Sequence, residues 1–140
     1  MKLLLILVAV GVLWIISFLH IYWAFGGRWG SAAVLPVKEG EHKPAFTPRI
    51  WGTLFVAILI LLASVIIVVQ GGYLQGFQVN SLSKIGSIVC ALVFIIRAIG
   101  DFKFVGFFKK IKHSQFARYD TWFYSPLCLF FSFVYIMLLF

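Results

Sequence analysis

The sequence predicts an all-α membrane protein, a bundle of four transmembrane helices with a short amphipathic interfacial helix between the third and fourth. Three observations predict this fold class. Hydrophobic residues make up 63% of the chain and charged residues only 11%, whereas soluble domains are about 45–50% apolar and about 25% charged. Four apolar segments each approach the roughly 20 helical residues that cross a hydrocarbon core. They use most of the chain, so we expect residues 1–140 to form a single transmembrane domain.

The first predicted span covers about residues 3–25 and has no charged side chain. Lys2 followed by an apolar run is also how a signal peptide begins. The run is too long for that, and its end carries His20, Tyr22 and Trp23. Such residues are typical of an interfacial belt rather than of a cleavage site. We therefore expect the segment to be a retained span.

The second span is predicted over about residues 48–70, because Thr47 can cap a helix and Pro48 suits its first turn. The third is predicted over about residues 81–101. Small residues recur on this third helix at four-residue spacing, as Gly86 with Cys90 and Ser87 with Ala91. This spacing lets helix backbones approach closely, which predicts that the third helix is the central one.

The fourth span depends on how Pro126 is interpreted. A helix that began there would be about 22 Å long, too short for a hydrocarbon core of about 30 Å. A helix over about residues 120–140, capped by Asp120, is long enough. Pro126 then lies inside it and leaves the Trp122 carbonyl without its helical donor. We expect the longer helix, with another donor, such as a Ser or Thr hydroxyl, on that carbonyl.

Basic residues are concentrated in two of the three predicted loops. The first and third loops contain nine Lys and Arg residues, against two on the opposite side. The positive-inside rule therefore predicts that both loops are cytoplasmic and that the N- and C-termini lie outside. The nine are Arg28, Lys38, Lys43, Arg49, Lys103, Lys109, Lys110, Lys112 and Arg118, and the two are Lys2 and Lys84.

The third loop has an amphipathic pattern. On a helical wheel from Phe102 to Phe116, one side is apolar and the other basic, which predicts a helix lying in the membrane surface with lysines toward lipid phosphates. These lysines lie within reach of headgroups, so the net charge of +8 does not favour nucleic-acid binding. The apolar side is formed by Phe104, Val105, Phe107, Phe108 and Ile111, and the other side by Lys103, Gly106, Lys109, Lys110 and His113, with Lys112 at the edge.

Ionisable residues lie slightly inside the predicted cytoplasmic ends of the helices. His20 and Arg97 are about 5–8 Å below the surface. Ionisable residues at this depth are costly to bury and are therefore candidate functional residues. Arg97 and Asp101 are spaced i, i+4 and can pair. This pair either neutralises itself and fixes the third helix, or Arg97 holds an anionic headgroup or carboxylate while Asp101 orients it. His20 is either bonded to a carbonyl or a proton donor and acceptor.

The candidate residues follow from this clustering. Trp23, Trp51 and Trp122 suit an aromatic belt, and the walls of a pocket are the alternative. The candidate catalytic residues are His20 and Asp101, and the candidate ligand-binding residues are Arg97, Trp23, Arg49, Trp122, Tyr124 and Asp120.

Other chemistries are disfavoured by missing motifs. Cys90 and Cys128 are single, lie in mid-span and form no CxxC, so both are interpreted as small buried hydrophobes. The sequence has no HExxH and no Gly-rich phosphate loop, and its three histidines are scattered. We expect no metal site and no cofactor. The first loop, residues 26–47, is the only sizeable extramembrane segment, and its Gly and Pro residues predict an irregular cap.

Three stretches resemble those of an uncharacterised family of small bacterial four-helix integral membrane proteins, a domain of unknown function. They are HIYWAFGGRWG (residues 20–30), RAIGDFKFVGFFKK (residues 97–110) and FARYDTWFYSPLC (residues 116–128). The resemblance covers essentially the whole chain. It implies four spans and a location in the bacterial inner (plasma) membrane, and it implies no particular activity.

Two functional hypotheses from different classes remain. The first is a binding or accessory module that holds a lipid or hydrophobic anionic ligand in a polar pocket at the cytoplasmic end of the bundle. The second is a small membrane enzyme acting on a lipid or isoprenoid-like substrate by acid/base chemistry, which requires His20, Arg97 and Asp101 to converge. The expected partners are membrane lipids and either further copies of the chain or a larger membrane complex, with no nucleic acid.

Overall fold

The computed structural model describes residues 1–38, 40 and 43–140, and within them the fold is all-helical apart from one isolated bridge between Val37 and Pro44. In this described part of the chain, four helices are long and apolar enough to cross a membrane. The predicted fold class is therefore confirmed, and the chain is a multi-pass membrane protein. In order, the helices are α1 (Lys2–Ala24), the short α2 (Ser31–Val34), α3 (Ile50–Gln70), α4 (Ser81–Ile99), α5 (Gln115–Tyr119), a π-helical turn (Asp120–Tyr124) and α6 (Ser125–Leu139).

The last three elements form one continuous fourth spanning helix, Gln115–Leu139. Its N-cap is Ser114, whose Oγ accepts a hydrogen bond from the Ala117 amide at 3.0 Å. The prediction that Asp120 caps this helix is therefore wrong, because the helix begins five residues earlier. Pro126 lies inside the helix, as predicted, and the π turn directly before it provides the local adjustment that an internal proline requires.

The other helix starts differ in how they are capped. The backbone of Arg49 is extended and forms the N-cap of α3 without a side-chain bond, so the predicted Thr47 cap is wrong. At the start of α4, Asn80 and Ser83 form a reciprocal capping box. Ser83 Oγ also lies 2.7 Å from Gln70 Oε1, and Gln70 Nε2 donates to the Leu138 carbonyl at 3.1 Å. These bonds join α3, α4 and α6 at the end of the bundle opposite the first and third loops.

The spanning helices pack through small residues and interhelical hydrogen bonds. In lipid, apolar side chains gain little by leaving their surroundings, so close backbone approach and polar contacts hold helices together. Ala9, Ala57 and Ala91 are buried at helix contacts. Ser17 Oγ donates to the Ala57 carbonyl at 2.9 Å, and Tyr135 Oη donates to the Ala63 carbonyl at 2.7 Å.

The position of α4 differs from the prediction. Ser87 and Ala91 form a buried face, and a Cβ placed on Gly86 would lie 3.1 Å from Ile66 Cδ1, so the small residues do lie at contacts. However, α4 packs on α3 and α6, whereas α3 and α6 each contact all three other spanning helices. These two helices, and not α4, therefore occupy the middle of the bundle.

The third loop is not the interfacial helix that its amphipathic pattern predicts. From Gly100 to Ser114 the chain forms bends and turns, and helix resumes only at Gln115. Gly100 and Gly106 have φ of +86° and +89°. A Cβ on Gly100 would overlap backbone atoms at and next to Gly106, and a Cβ on Gly106 would overlap backbone atoms at and next to Gly100. The loop folds back on α4, where the Phe107 amide donates to the Ala98 carbonyl at 2.9 Å. This hairpin-like return excludes a continuous surface helix.

Candidate functional site

Asp120 lies at the centre of a buried polar cluster where the third loop meets the fourth spanning helix. Its side chain is 0% exposed. Oδ1 accepts from Arg97 Nη2 at 2.9 Å, while Oδ2 accepts from the Gly106 amide at 2.6 Å and from Lys109 Nζ at 3.0 Å. The π turn positions this carboxylate toward α4 and the loop. We call Arg97, Gly106, Lys109 and Asp120 the Asp120 cluster.

Lys109 is the unexpected member of the Asp120 cluster. Its side chain is 1% exposed, although the helical wheel places it on the basic side, toward lipid phosphates. The ammonium group has three acceptors: Asp120 Oδ2, the Gly106 carbonyl at 2.9 Å and Thr121 Oγ1 at 2.6 Å. A lysine is buried only when its charge and donors are paired. Lys109 therefore fastens the third loop to the bundle.

The predicted pair between Arg97 and Asp101 is not formed, because the helix ends between them. The α4 helix stops at Ile99, and Gly100 then turns the chain with a positive φ, so i, i+4 spacing no longer applies. Arg97 instead pairs with Asp120. Its other terminal nitrogen, Nη1, is buried and has no hydrogen-bond partner among the described residues.

Asp101 organises its own loop. Its Oδ1 accepts hydrogen bonds from the amides of Lys103, Phe104 and Val105 at 2.9, 2.7 and 2.9 Å. Burial acts to raise the pKa of this carboxyl, but the backbone donors together outweigh it and hold the pKa below its usual range. Asp101 is thus an ionised turn former.

His20 lies within α1 and interacts with that helix. Its Nδ1 is 2.8 Å from the Ile16 carbonyl, so Nδ1 carries the proton, and its ring meets Trp23 edge-on at 5.4 Å. Among the described residues, no hydrogen bond joins His20, Arg97 and Asp101 to one another. The acid/base assignment of His20 and Asp101 stays a prediction, and it lacks the convergence that it requires.

The remaining candidates lie apart from one another, in separate environments. Trp122 is 84% exposed, which fits the aromatic-belt interpretation. Arg49 is exposed at the start of α3. Tyr124 donates from its hydroxyl to the Ala33 carbonyl at 3.1 Å and so ties the first loop to the fourth helix. Trp23 donates to the Trp29 carbonyl at 2.8 Å.

Trp23 also lines an apolar cleft of about 440 Å³ between the end of α1 and the start of α3. Pro48, Ile50 and Thr53 form the α3 side of this cleft. Arg49 is flanked by two of these residues in the sequence. Of the predicted ligand-binding residues, Trp23 therefore lines the cleft directly, and the sequence neighbours of Arg49 line it from the other side.

A larger groove lies between the first and third loops. It has a volume of about 570 Å³, and its described lining includes the basic side chains Lys38, Lys110 and His113. Polar groups from Ser31 and Ser114 line it as well. Its apolar lining is formed by Ala32, Leu35, Val37, Pro44 and Ile111. In the sequence, only the basic excess of these two loops points to this cavity, which we call the interloop groove.

These observations separate two kinds of polar site. In the Asp120 cluster, the carboxylate and the ammonium group are satisfied within the chain, so the cluster holds structure together. The interloop groove instead presents basic and apolar side chains to an open cavity. Among the described residues, no three His, Cys, Asp or Glu side chains come together in a way that could hold a metal ion.

Comparison with known proteins assigns the chain to a family. The family model described as "Protein of unknown function (DUF3995)" matches residues 13–135. The chain belongs to this family. The match includes all of the Asp120 cluster and both loops of the interloop groove. No curated protein and no solved structure matches the chain.

Proposed function

We propose that this DUF3995 protein is a membrane-embedded binding module for an anionic amphiphile, with the interloop groove as its binding site. The observation that carries the proposal is the groove's mixed lining, in which Lys38, Lys110 and His113 stand beside an apolar surface. A lysine ammonium suits phosphate as a point charge. The apolar surface suits the first part of an acyl or isoprenoid chain.

The depth of the groove supports a membrane ligand. Its two loops begin directly after α1 and α4, whose ends lie at the same end of the bundle. In a bilayer this level corresponds to the headgroup region. An amphiphile entering from the leaflet therefore needs to move its headgroup little, while its chain stays in an apolar environment.

The site differs from the pocket expected around His20, Arg97 and Asp101. Arg97 is already partly neutralised by Asp120, which is fully buried. In the proposal, the Asp120 cluster supports the groove by fixing the third loop, while Tyr124 supports it by holding the first loop through Ala33. The binding groups themselves come from the loops.

Native mass spectrometry with a short-chain phosphatidylglycerol as the probe tests the proposal. Juxtamembrane Lys and Arg contribute about 1 kcal/mol each toward anionic lipid, so Lys38→Gln with Lys110→Gln should weaken binding about 30-fold. Lys84→Gln, on the opposite end of α4, is the matched control and should change little. Equal binding of phosphatidylcholine, or an unchanged affinity in the double variant, would contradict the proposal.

The location and orientation form part of the proposal. We place the protein in the bacterial inner (plasma) membrane, with the interloop groove facing the cytoplasm and both termini outside. In a background without Cys90 and Cys128, cysteine at Ser31 or Ser114 should resist membrane-impermeant thiol reagents in intact cells. Labelling at both positions, with protection of cysteine at Ser81, would reverse the orientation.

A further inference from the structure

The third loop has a second surface, separate from the interloop groove, on which aromatic rings face outward. Phe102 is 58% exposed and Phe108 is 63% exposed, and their ring centroids lie 6.3 Å apart. Lys103 is exposed beside them, and its ammonium group lies 5.1 Å from the centroid of the Phe104 ring. We call Phe102, Lys103, Phe104 and Phe108 the aromatic–basic face.

In a loop surrounded by water, lysines are expected to be exposed and phenylalanines buried, and part of this loop shows the reverse. The lysine next to Phe108, Lys109, is buried in the Asp120 cluster, while the phenylalanine itself is exposed. Exposing two neighbouring phenyl rings to water is unfavourable, because each could bury a large apolar area. The arrangement is favourable where the surroundings of the loop are apolar, as in the interfacial layer of a bilayer.

The backbone fixes how the face is presented. Phe102 has a φ of +61°, in the left-handed region that a residue with a bulky side chain rarely adopts. The next three amides donate to Asp101, and the other end of the loop is held by Gly106 and Lys109 on Asp120. Hydrogen bonds at both ends of the loop therefore hold the rings in their outward orientation.

We propose that the aromatic–basic face docks onto anionic phospholipids of the surrounding leaflet, with Phe102 and Phe108 inserted beside the acyl chains and Lys103 on a phosphate. The occupant follows from position and charge. Lys103 is four residues beyond the end of α4, so it lies at headgroup level. An exposed cation beside inserted rings complements an anionic headgroup, and aromatic and basic residues are the typical anchors of this layer.

Spin labels can measure the insertion. In a background without Cys90 and Cys128, labels at Phe108→Cys and Lys112→Cys are compared in phosphatidylglycerol nanodiscs. Both positions are exposed in the same loop, but only the first belongs to the face. The label at position 108 should collide more with oxygen and less with a water-soluble nickel chelate than the label at position 112. Equal accessibility of the two labels to the chelate would overturn the proposal.

Lipid preference gives a second, independent readout. In nanodiscs of mixed phosphatidylglycerol and phosphatidylcholine, Lys103→Gln should lower the ratio of anionic to zwitterionic lipid retained on the protein about five-fold, from about 1 kcal/mol per lysine. Lys84→Gln should leave the ratio unchanged. Phe102→Gly suits the positive φ and removes only an inserted ring, so it should leave the ratio unchanged and reduce the total phospholipid retained. An unchanged ratio in Lys103→Gln, or an unchanged amount of retained phospholipid in Phe102→Gly, would overturn the proposal.

The two lipid proposals fail separately. The short-chain probe of the interloop groove tests Lys38 and Lys110, neither of which belongs to the aromatic–basic face. If Lys103→Gln has no effect while the groove variants lose the probe, only the docking surface is wrong. If the reverse holds, the proposed function is wrong and the docking surface stands.

Discussion

Replacing Asp120 by Asn tests whether the Asp120 cluster is the electrostatic centre of the fold. The change keeps the shape of the side chain but removes the charge that pairs with Lys109 and Arg97. Removing one partner of a buried ion pair costs about 3–5 kcal/mol, because a buried charge is left uncompensated. Lys109 takes this cost in full, since it is almost completely buried, whereas Arg97 is about one-third exposed and reaches solvent.

Lys109→Met should cost less than Asp120→Asn. In this variant the carboxylate keeps Arg97 and the Gly106 amide, while Thr121 Oγ1 and the Gly106 carbonyl each lose a donor. We expect about 1–3 kcal/mol, the range for leaving a buried polar group unsatisfied. In the double variant Lys109 is replaced as well, so no buried ammonium group is left without its carboxylate. It should therefore be less destabilised than the sum of the single variants, with a coupling of about 1–3 kcal/mol.

The measurement is equilibrium unfolding of the purified protein in mixed micelles, with increasing SDS and tryptophan fluorescence as the signal. Asp101→Asn is the matched control, because its carboxylate is exposed and water can replace its contacts. It should destabilise far less than Asp120→Asn. Additive effects of Asp120→Asn and Lys109→Met, or equal effects of the two Asp→Asn changes, would refute the reasoning.

Three further outcomes are expected. Gly100→Ala should destabilise the protein by at least about 1 kcal/mol in the same unfolding assay, because its positive φ and the nearby Val105 carbonyl leave no room for a Cβ. Gly86→Leu should lower the melting temperature in detergent through contact with Ile66, while Gly11→Leu, where a Cβ meets nothing within 4 Å, should not. Because the pKa of Asp101 is lowered on folding, its stabilisation is present above its unfolded value of about 3.9 and is lost as pH falls through the folded value. The chemical shifts of the loop amides that donate to the Asp101 carboxylate should therefore change only below about pH 4. A titration midpoint above this pH would contradict the assignment.

The four spans could be predicted because their signal is local. Apolar composition over about 20 residues is sufficient to identify a span, and the length argument correctly placed Pro126 inside the fourth helix. Helix starts were less predictable. Thr47 and Asp120 both have capping side chains, but Arg49 and Ser114 occupy the cap positions. Several residues near each start can cap, and packing decides among them.

The candidate site was less predictable, because its contacts are long-range and depend on two glycines. Arg97 and Asp101 are suitably spaced only if the helix continues through Gly100, which instead ends it. A helical wheel through the third loop likewise ignores Gly106, whose positive φ is incompatible with a helix. Both glycines were visible in the sequence as helix breakers. The pairing of Arg97 with Asp120 was not, since nothing local relates residues that lie on different helices.

The ion pair between α4 and the fourth spanning helix also bears on how the chain enters the membrane. Asp120 follows Arg97 by 23 positions, so during synthesis the arginine reaches the membrane before its partner exists. An unpaired charge within a span is costly in lipid. The two helices therefore reach their lowest free energy as a jointly inserted hairpin closed by its own ion pair. A chain that stops before Asp120 is left with a third helix that is poorly suited to the bilayer.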